Sequence, residues 1–338
     1  MLRLLVCLGF ALPFFLTAVP RDAAAQMTPE MFIKKFDADN DGSVSKDEFT
    51  GKRRPFQFFD KDGDGVATRA EIEQALSQSG DVTAQGSKLD GQVPIGRIDA
   101  ATRCGIGRSK NNCSIQVAIE KGLFETGLRP RFPDNLDCRG IDEGWAVSYT
   151  SKRDREQYHG GIDMPAPYGT PMLAAADGTV VSKTAVPTSY RGIELIVRHS
   201  PDETGLPVWT YTQYAHFDSM PSVNVGDRVR MGQNLGPTGN SGYQNPRGAL
   251  KNPRRPAIHF AVWFSEKPGF AIDGNDVIPV DGWWMDPNAM YRLKPPFDSA
   301  SLKALPDAEK DVAIPVMLDT GETVPADTKL IWPYACSR

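Results

Sequence analysis

An imidazole and a carboxylate stand four positions apart in His159-Gly160-Gly161-Ile162-Asp163, a spacing and pair of residue types that suggest a metal site. On a helix, residues i and i+4 share a face and can clamp one cation. Gly160, Gly161, Pro165, Pro167 and Gly169 argue against a helix at this point. Glycine freedom must instead fold the carboxylate back toward the ring. Histidine is used sparingly: His159, His199, His216 and His259 are the only four in the chain. Each alone reads as a satisfied polar residue, and only a shared environment would make ligands of them.

A different metal chemistry is written nearer the N-terminus. The run DADNDGSVSKDE puts Asp37, Asp39 and Asp41 at positions 1, 3 and 5, Gly42 at 6, Ser43 at 7, Ser45 at 9 and Glu48 at 12. A hard cation such as Ca²⁺ takes six to eight oxygens. Here the carboxylates, the Ser43 carbonyl, a water held by Ser45 and a bidentate Glu48 supply them, while Gly42 permits the sharp turn. A second copy, DKDGDGVATRAE, repeats the pattern with Asp60, Asp62, Asp64, the Val66 carbonyl, Thr68 and Glu71. Apolar residues flank both loops at helical spacing (Phe32, Phe36, Phe49, Phe56, Phe59, Ile72). The segment resembles a pair of EF-hands, which implies a small all-α calcium-binding domain. Ala67 departs from the Ile or Val usual at its loop position, and should weaken the short β contact between the loops.

The elements around His159 read as β-structure. Beyond Asp163 come turn and strand signals to Gly178-Thr179-Val180-Val181. Strands follow over 193–197 and 208–214, then closely spaced turns at Gly226, Gly232 and Thr238-Gly239-Asn240-Ser241-Gly242, then the strand 257–263. The sum is a compact, mostly antiparallel β domain. Its motifs are HGGID followed by APYGTP, a tyrosine-rich strand ending YAHF, the GQNLGPTGNSG turn and the IHFAVW strand. In that order they resemble the M23 family of zinc metallopeptidases, the lysostaphin-like endopeptidases of peptidoglycan. The likeness spans roughly residues 144–291. It implies that His159, Asp163 and His259 hold Zn²⁺ and that His216 orients water or stabilises the tetrahedral intermediate. Two imidazoles and one carboxylate leave the fourth position of a tetrahedral zinc open, the form of a catalytic site. His199 reads as a structural or surface residue ending a strand.

One position departs from the family. The last strand there usually reads His-x-His, and this chain has Ala257 before His259. With a two-residue period, positions 257 and 259 face the same side, so a donor is missing from the site itself. Arg247, Lys251, Arg254 and Arg255 lie just before this strand and could supply a replacement.

The 338 residues and the net charge of −4 fit a soluble, multi-domain protein, and no whole-molecule basic field points to nucleic acid. Arg3, the apolar run 4–16 and Ala23-Ala24-Ala25 read as a secretory signal over residues 1–25, leaving a mature protein without a transmembrane segment. Export to the periplasm, or otherwise to the cell envelope, follows. In an oxidising compartment Cys104, Cys113, Cys138 and Cys336 could form two disulfides in any of three pairings, with 104–113 and 138–336 favoured because 104 and 113 are nearest in sequence. Their spacings match no common structural-zinc pattern.

The expected organisation is a signal (1–25), an EF-hand pair (26–80), a linker and cysteine-containing middle segment (81–139), an M23-like domain (140–295) and a C-terminal tail (296–338). The expected function is an exported zinc metalloendopeptidase cutting peptidoglycan cross-links, with Zn²⁺ and Ca²⁺ as cofactors. A metal-bound but weakly active or inactive peptidoglycan-binding or regulatory protein is the alternative that Ala257 favours.

Overall fold

The computed structural model describes residues 28–50, 56, 59–60, 62–78, 89–107, 113–141, 159–186, 189–242 and 255–338. The expected signal segment, residues 1–25, and Arg247, Lys251 and Arg254 lie outside them. The chain divides into two compact units, Met1–Gly86 and Ser87–Arg338.

In the first unit, Thr28 caps helix α1 (Pro29–Phe36) by accepting from the Met31 N–H, and Pro29 takes the first helical position, where its missing N–H costs nothing. Strands β1 (Val44–Ser45) and β2 (Val66–Ala67) join the two acidic loops, with Val44 opposite Ala67, and helix α2 (Arg69–Gln78) follows. The loop contact therefore forms around Ala67, which is fully buried with Val44, Phe32, Phe59 and Ile72.

The second unit opens with helices α3 (Ala100–Gly107) and α4 (Ile115–Glu120), joined by the Cys104–Cys113 disulfide, and strand β3 (Arg129–Arg131). The centre is antiparallel: β4 (Ile162–Pro165), β5 (Pro171–Leu173), β6 (Gly178–Val186), β7 (Gly192–His199), the short helix α5 (Pro201–Thr204), β8 (Trp209–Ala215), β9 (Arg228–Val229), β10 (Asn234–Pro237) and β11 (Ala257–Ser265). Then come β12 (Phe270–Asp273), β13 (Asp276–Pro279) and β14 (Trp283–Met285). One sheet runs β14-β11-β8-β7-β6-β9, with β4 on the free part of β11, and β5 pairs β10 separately. The expectation of a mainly β, antiparallel fold is borne out. All nine residues of β11 are buried, as its mostly apolar sequence, interrupted by His259 and ended by Ser265, requires of a strand covered on both faces.

The tail is part of this core. Helix α6 (Ser299–Lys303) leads to β15 (Asp311–Ala313), which pairs parallel with β3, and to the hairpin of β16 (Val316–Met317) with β17 (Thr323–Val324). Leu330, Trp332 and Tyr334 are fully buried, the Trp332 indole donates to the Arg139 carbonyl, and Cys138–Cys336 closes the tail onto the segment before the sheet.

His199 ends β7 and is fully buried; its Nδ1 donates to the Asp177 carbonyl and its Nε2 accepts from the Thr212 hydroxyl. Burial pushes the imidazole down to about 4. Unfolded, it takes up a proton near pH 6.5. Between those values the unfolded state binds more protons, so stability falls as pH is lowered through this window and levels off below it. The loss from this group is about 3 kcal/mol. Urea unfolding of wild type and His199→Gln across pH 7 to 4 should show a shallower pH dependence in the variant; parallel curves would refute the role assigned to this ring.

Candidate metal centre

Asp163 and His259 meet because β4 and β11 pair in a register that sets them directly opposite each other. The row continues across the sheet, His259 facing Ala215, Ala215 facing Glu194, and Glu194 facing Thr184. Directly opposed residues point to the same face, so one row spans five strands with the acid and imidazole at its end. His159 enters from the turn before β4. Its Nε2 lies 3.1 Å from Asp163 Oδ1, and His259 Nδ1 lies 2.9 Å from that same oxygen and 3.1 Å from His159 Nε2. Three ligand atoms thus form a nearly equilateral triangle. A tetrahedral zinc with bonds of about 2.0–2.1 Å has ligand atoms ~3.3 Å apart, close to what the side chains already adopt. Both imidazole nitrogens converge on one carboxylate oxygen, and all three residues are buried or nearly so. The donor set and its burial fit a divalent cation.

The second glycine of HGGID is a steric requirement. A Cβ on Gly161 would fall 2.6 Å from both Cε1 and Nε2 of His259 and 2.8 Å from the Phe260 carbonyl. The His259 ring occupies the space a side chain would need.

His216, immediately after β8, is buried and holds a left-handed backbone (φ 72°), a strained conformation for a non-glycine residue. Its surroundings fix that conformation. The backbone N–H donates to the Ile193 carbonyl at 3.0 Å, the carbonyl accepts from Gly239 N–H at 3.0 Å, and Nδ1 donates to the Ser241 carbonyl at 2.8 Å. Since a carbonyl only accepts, the neutral ring carries its proton on Nδ1 and its lone pair on Nε2. The rings of His216 and His259 are 5.9 Å apart between centroids. The GNSG turn therefore orients a histidine. Its close contact with residues 189–192 leaves no room for a side chain at Gly242, whose Cβ would lie 2.8 Å from the Tyr190 carbonyl.

Behind His216 is a buried charged network that sequence reading missed. Arg191 bonds Asp276 at 2.7 Å and approaches Glu194 at 3.4 Å, and Glu194 also accepts from Thr184 and Gln213. Burial pushes the Glu194 carboxyl up. The Arg191 carbonyl is a second acceptor of the His216 N–H, so the network stiffens the segment on which His216 rests. The signal available was a lone glutamate within the apolar run GIELIV.

Ala257 is 2% exposed, lies two residues before His259 on the same face, and donates its N–H to Gly239. It brings no polar side chain to the site. Of the basic residues considered as substitutes, Arg255 is exposed.

In the N-terminal unit the structure brings Asp37, Asp39 and Glu48 together, and likewise Asp60, Asp62 and Glu71. Asp41 and Asp64 turn back onto their own loops, accepting from the Ser43 and Val66 N–H groups. Ser45 and Thr68 are hydrogen-bonded to Glu48 and Glu71. Side-chain and backbone hydrogen bonds from Ser45 hold the Glu48 carboxyl down to about 2, keeping it ionised for a cation.

Residues 157–270 match the model of Peptidase family M23, a span containing all four histidines, and residues 32–50 match the EF hand model. The family resemblance read from the motifs is borne out. A peptidoglycan DD-endopeptidase of Vibrio cholerae, ShyC, is 39% identical over 85 residues, covering 25% of this chain and 17% of that protein. An uncharacterized metalloprotease of Buchnera aphidicola is 29% identical over 109 residues, covering 32% of this chain and 24% of the other. The chain thus spans less than a quarter of either relative's length. Among solved structures, the catalytic domain of lysostaphin from Staphylococcus simulans aligns with 21% identity, covering 41% of this chain and 96% of that one, at a TM-score of 0.28.

Gly161→Ala is expected to displace the His259 ring and weaken Zn²⁺ binding at least tenfold, in line with the effect of disturbing residues that orient metal ligands. Competition titration against a chromophoric chelator measures this, and unchanged affinity would contradict the packing described.

Proposed function

We propose that this chain is an exported zinc metalloendopeptidase that hydrolyses peptide cross-links of peptidoglycan and carries a calcium-binding EF-hand module. The observation that carries the reading is the triangle of His159, Asp163 and His259 donor atoms, with the oriented His216 beside it. The match to Peptidase family M23 and the partial likeness to a peptidoglycan DD-endopeptidase support the reaction and substrate class.

His159 Nε2, Asp163 Oδ1 and His259 Nδ1 are the ligands. These three residues would hold a Zn²⁺ ion, which when bound would supply Lewis-acid polarisation of the scissile carbonyl and a water of lowered pKa, toward about 7. With Nδ1 committed to the Ser241 carbonyl, His216 uses Nε2 to take the proton of the attacking water and to return it to the leaving amine. The hydrogen bond from Nδ1 to the Ser241 carbonyl holds the ring in one orientation, so Nε2 is positioned without a search through rotamers. The β4–β11 register sets Asp163 and His259 side by side for one ion.

Export rests on the signal-like residues 1–25. The two disulfides accord with an oxidising compartment, and no helix among the described residues is long and apolar enough to cross a membrane.

Ala257 favours a second reading, a metal-bound protein that binds peptidoglycan but turns it over weakly or not at all. Loss of one charge-stabilising donor costs about 10²–10³ in rate in other enzymes. Zinc-loaded protein and His159→Ala are to be incubated with cross-linked peptidoglycan, and released amines and separated stem peptides counted. The leading reading predicts release by wild type only; none at any zinc or calcium concentration would sink it. Ala257→His should raise turnover at least tenfold if the site is merely degenerate, and leave it unchanged if other groups have taken over the donor's task.

For the N-terminal unit, calorimetric titration should show two Ca²⁺ bound by wild type and one by Glu48→Gln, which removes the bidentate ligand of the first loop. Equal stoichiometry in both would remove loop one as a calcium site.

A further inference from the structure

On the face of the sheet that carries Glu194 and His259, but four residues further along β7, Arg198 is buried with its side chain 6% exposed. Its guanidinium stacks 3.9 Å over the Trp209 ring, and the Phe270 ring lies 5.6 Å away. Nη2 donates to the Pro268 carbonyl at 2.7 Å, and Nε has no hydrogen-bond partner among the described residues. The only carboxylate paired with this guanidinium among the described residues is that of Asp90, 3.7 Å from Nη1, beyond hydrogen-bonding reach and 97% exposed. Guanidinium cannot shed its proton in a protein, so its burial without a bonded anion is unfavourable, and stacking on aromatic rings offsets only part of the cost.

Arg198 lines a cavity of about 220 Å³. The neighbouring strands complete it: Thr179 of β6 pairs with both Arg198 and Arg228, and Trp209 begins β8. Arg228 is already neutralised by an ion pair with Glu203 and donates to Thr179 at 2.9 Å, whereas Arg198 has no carboxylate within hydrogen-bonding reach among the described residues. Val181, Leu89 and the Trp209 ring give the cavity an apolar wall.

We propose that this cavity binds a carboxylate attached to a small apolar group, such as the C-terminal residue of a short peptide. The planar donor fork of arginine matches a carboxylate. Glu203 and Asp90 flank the cavity and disfavour a dianion, which selects a monocarboxylate over a phosphate. The volume lies below the ~300–1,000 Å³ of drug-sized sites and suits a group of a few heavy atoms. The proposal is independent of the metal centre and of the peptidase reading.

The test is calorimetric titration of the full chain with N-acetyl-alanyl-alanine and with the same dipeptide as its C-terminal amide. The acid should bind saturably at one site, with the amide at least tenfold weaker. Binding should persist in His159→Ala, which separates this cavity from the metal centre. Arg198→Met should lose at least tenfold in affinity, while Asp90→Asn, a change at an exposed residue, should tighten binding by removing a like charge. Equal binding of acid and amide, no saturable binding of the acid, or loss of binding in His159→Ala would overturn the proposal. So would binding of inorganic phosphate in preference to the acid. Should Arg198→Met fail to fold by circular dichroism, the acid–amide contrast and Asp90→Asn decide.

Discussion

Asp163 and His259 oppose each other across an antiparallel strand pair, and the candidate centre depends on that register. A slip of one residue would turn every side chain of the slipped strand to its other face, separating acid from imidazole. The register is held from both sides. Ile162 and Met164, the neighbours of Asp163, are buried, as are Ile258 and Phe260 beside His259, so any slip would exchange core residues for polar ones. The tail adds a clamp: Tyr334 accepts from the Ile258 N–H and donates to Thr238, whose own hydroxyl donates to the Thr170 carbonyl. One phenol thus ties the strand of His259 to the turn that leads into GNSG. Burial pushes that phenol up to about 12, so it stays a neutral donor at physiological pH.

Around this register the site is built with two different economies. Asp163 and His259 sit on strands, where packing sets their positions, and His159 on the turn that leads into β4. His216 instead sits at a strained turn, where three hydrogen bonds and a buried Arg191–Glu194–Asp276 network hold a conformation its own sequence disfavours. Strain of this kind persists only where the surroundings over-determine it. Ala257 is the counterpoint, a buried position on the same face that contributes volume and no chemistry.

Much of this was legible in the residues. The apolar residues around His259 announce the strand over 257–263, and the turn glycines mark where the chain reverses. The acidic loops carry their ligand spacing on their face. What could not be read was long-range. The helix α3, the β3–β15 pairing between residues 129–131 and 311–313, and the entry of Trp332 and Tyr334 into the core depend on contacts far apart in sequence, which no local period encodes. The purpose of Gly161 was hidden for the same reason: its local sequence shows a flexible turn, while the cause is a ring 98 positions downstream occupying the space of its Cβ. Arg198 was likewise silent, because a lone arginine in a strand does not disclose whether its partner is a carboxylate or an aromatic ring.

The claim at the centre of this account is that His159, Asp163 and His259 bind one zinc ion together. Zinc K-edge X-ray absorption of the stoichiometrically loaded chain tests it most directly. The account predicts two imidazole nitrogens with oxygen completing a four-coordinate shell at about 2.0–2.1 Å, and one imidazole fewer in His259→Ala. Failure to load one zinc per chain, a sulfur-containing shell, or a shell unchanged in His259→Ala would contradict it.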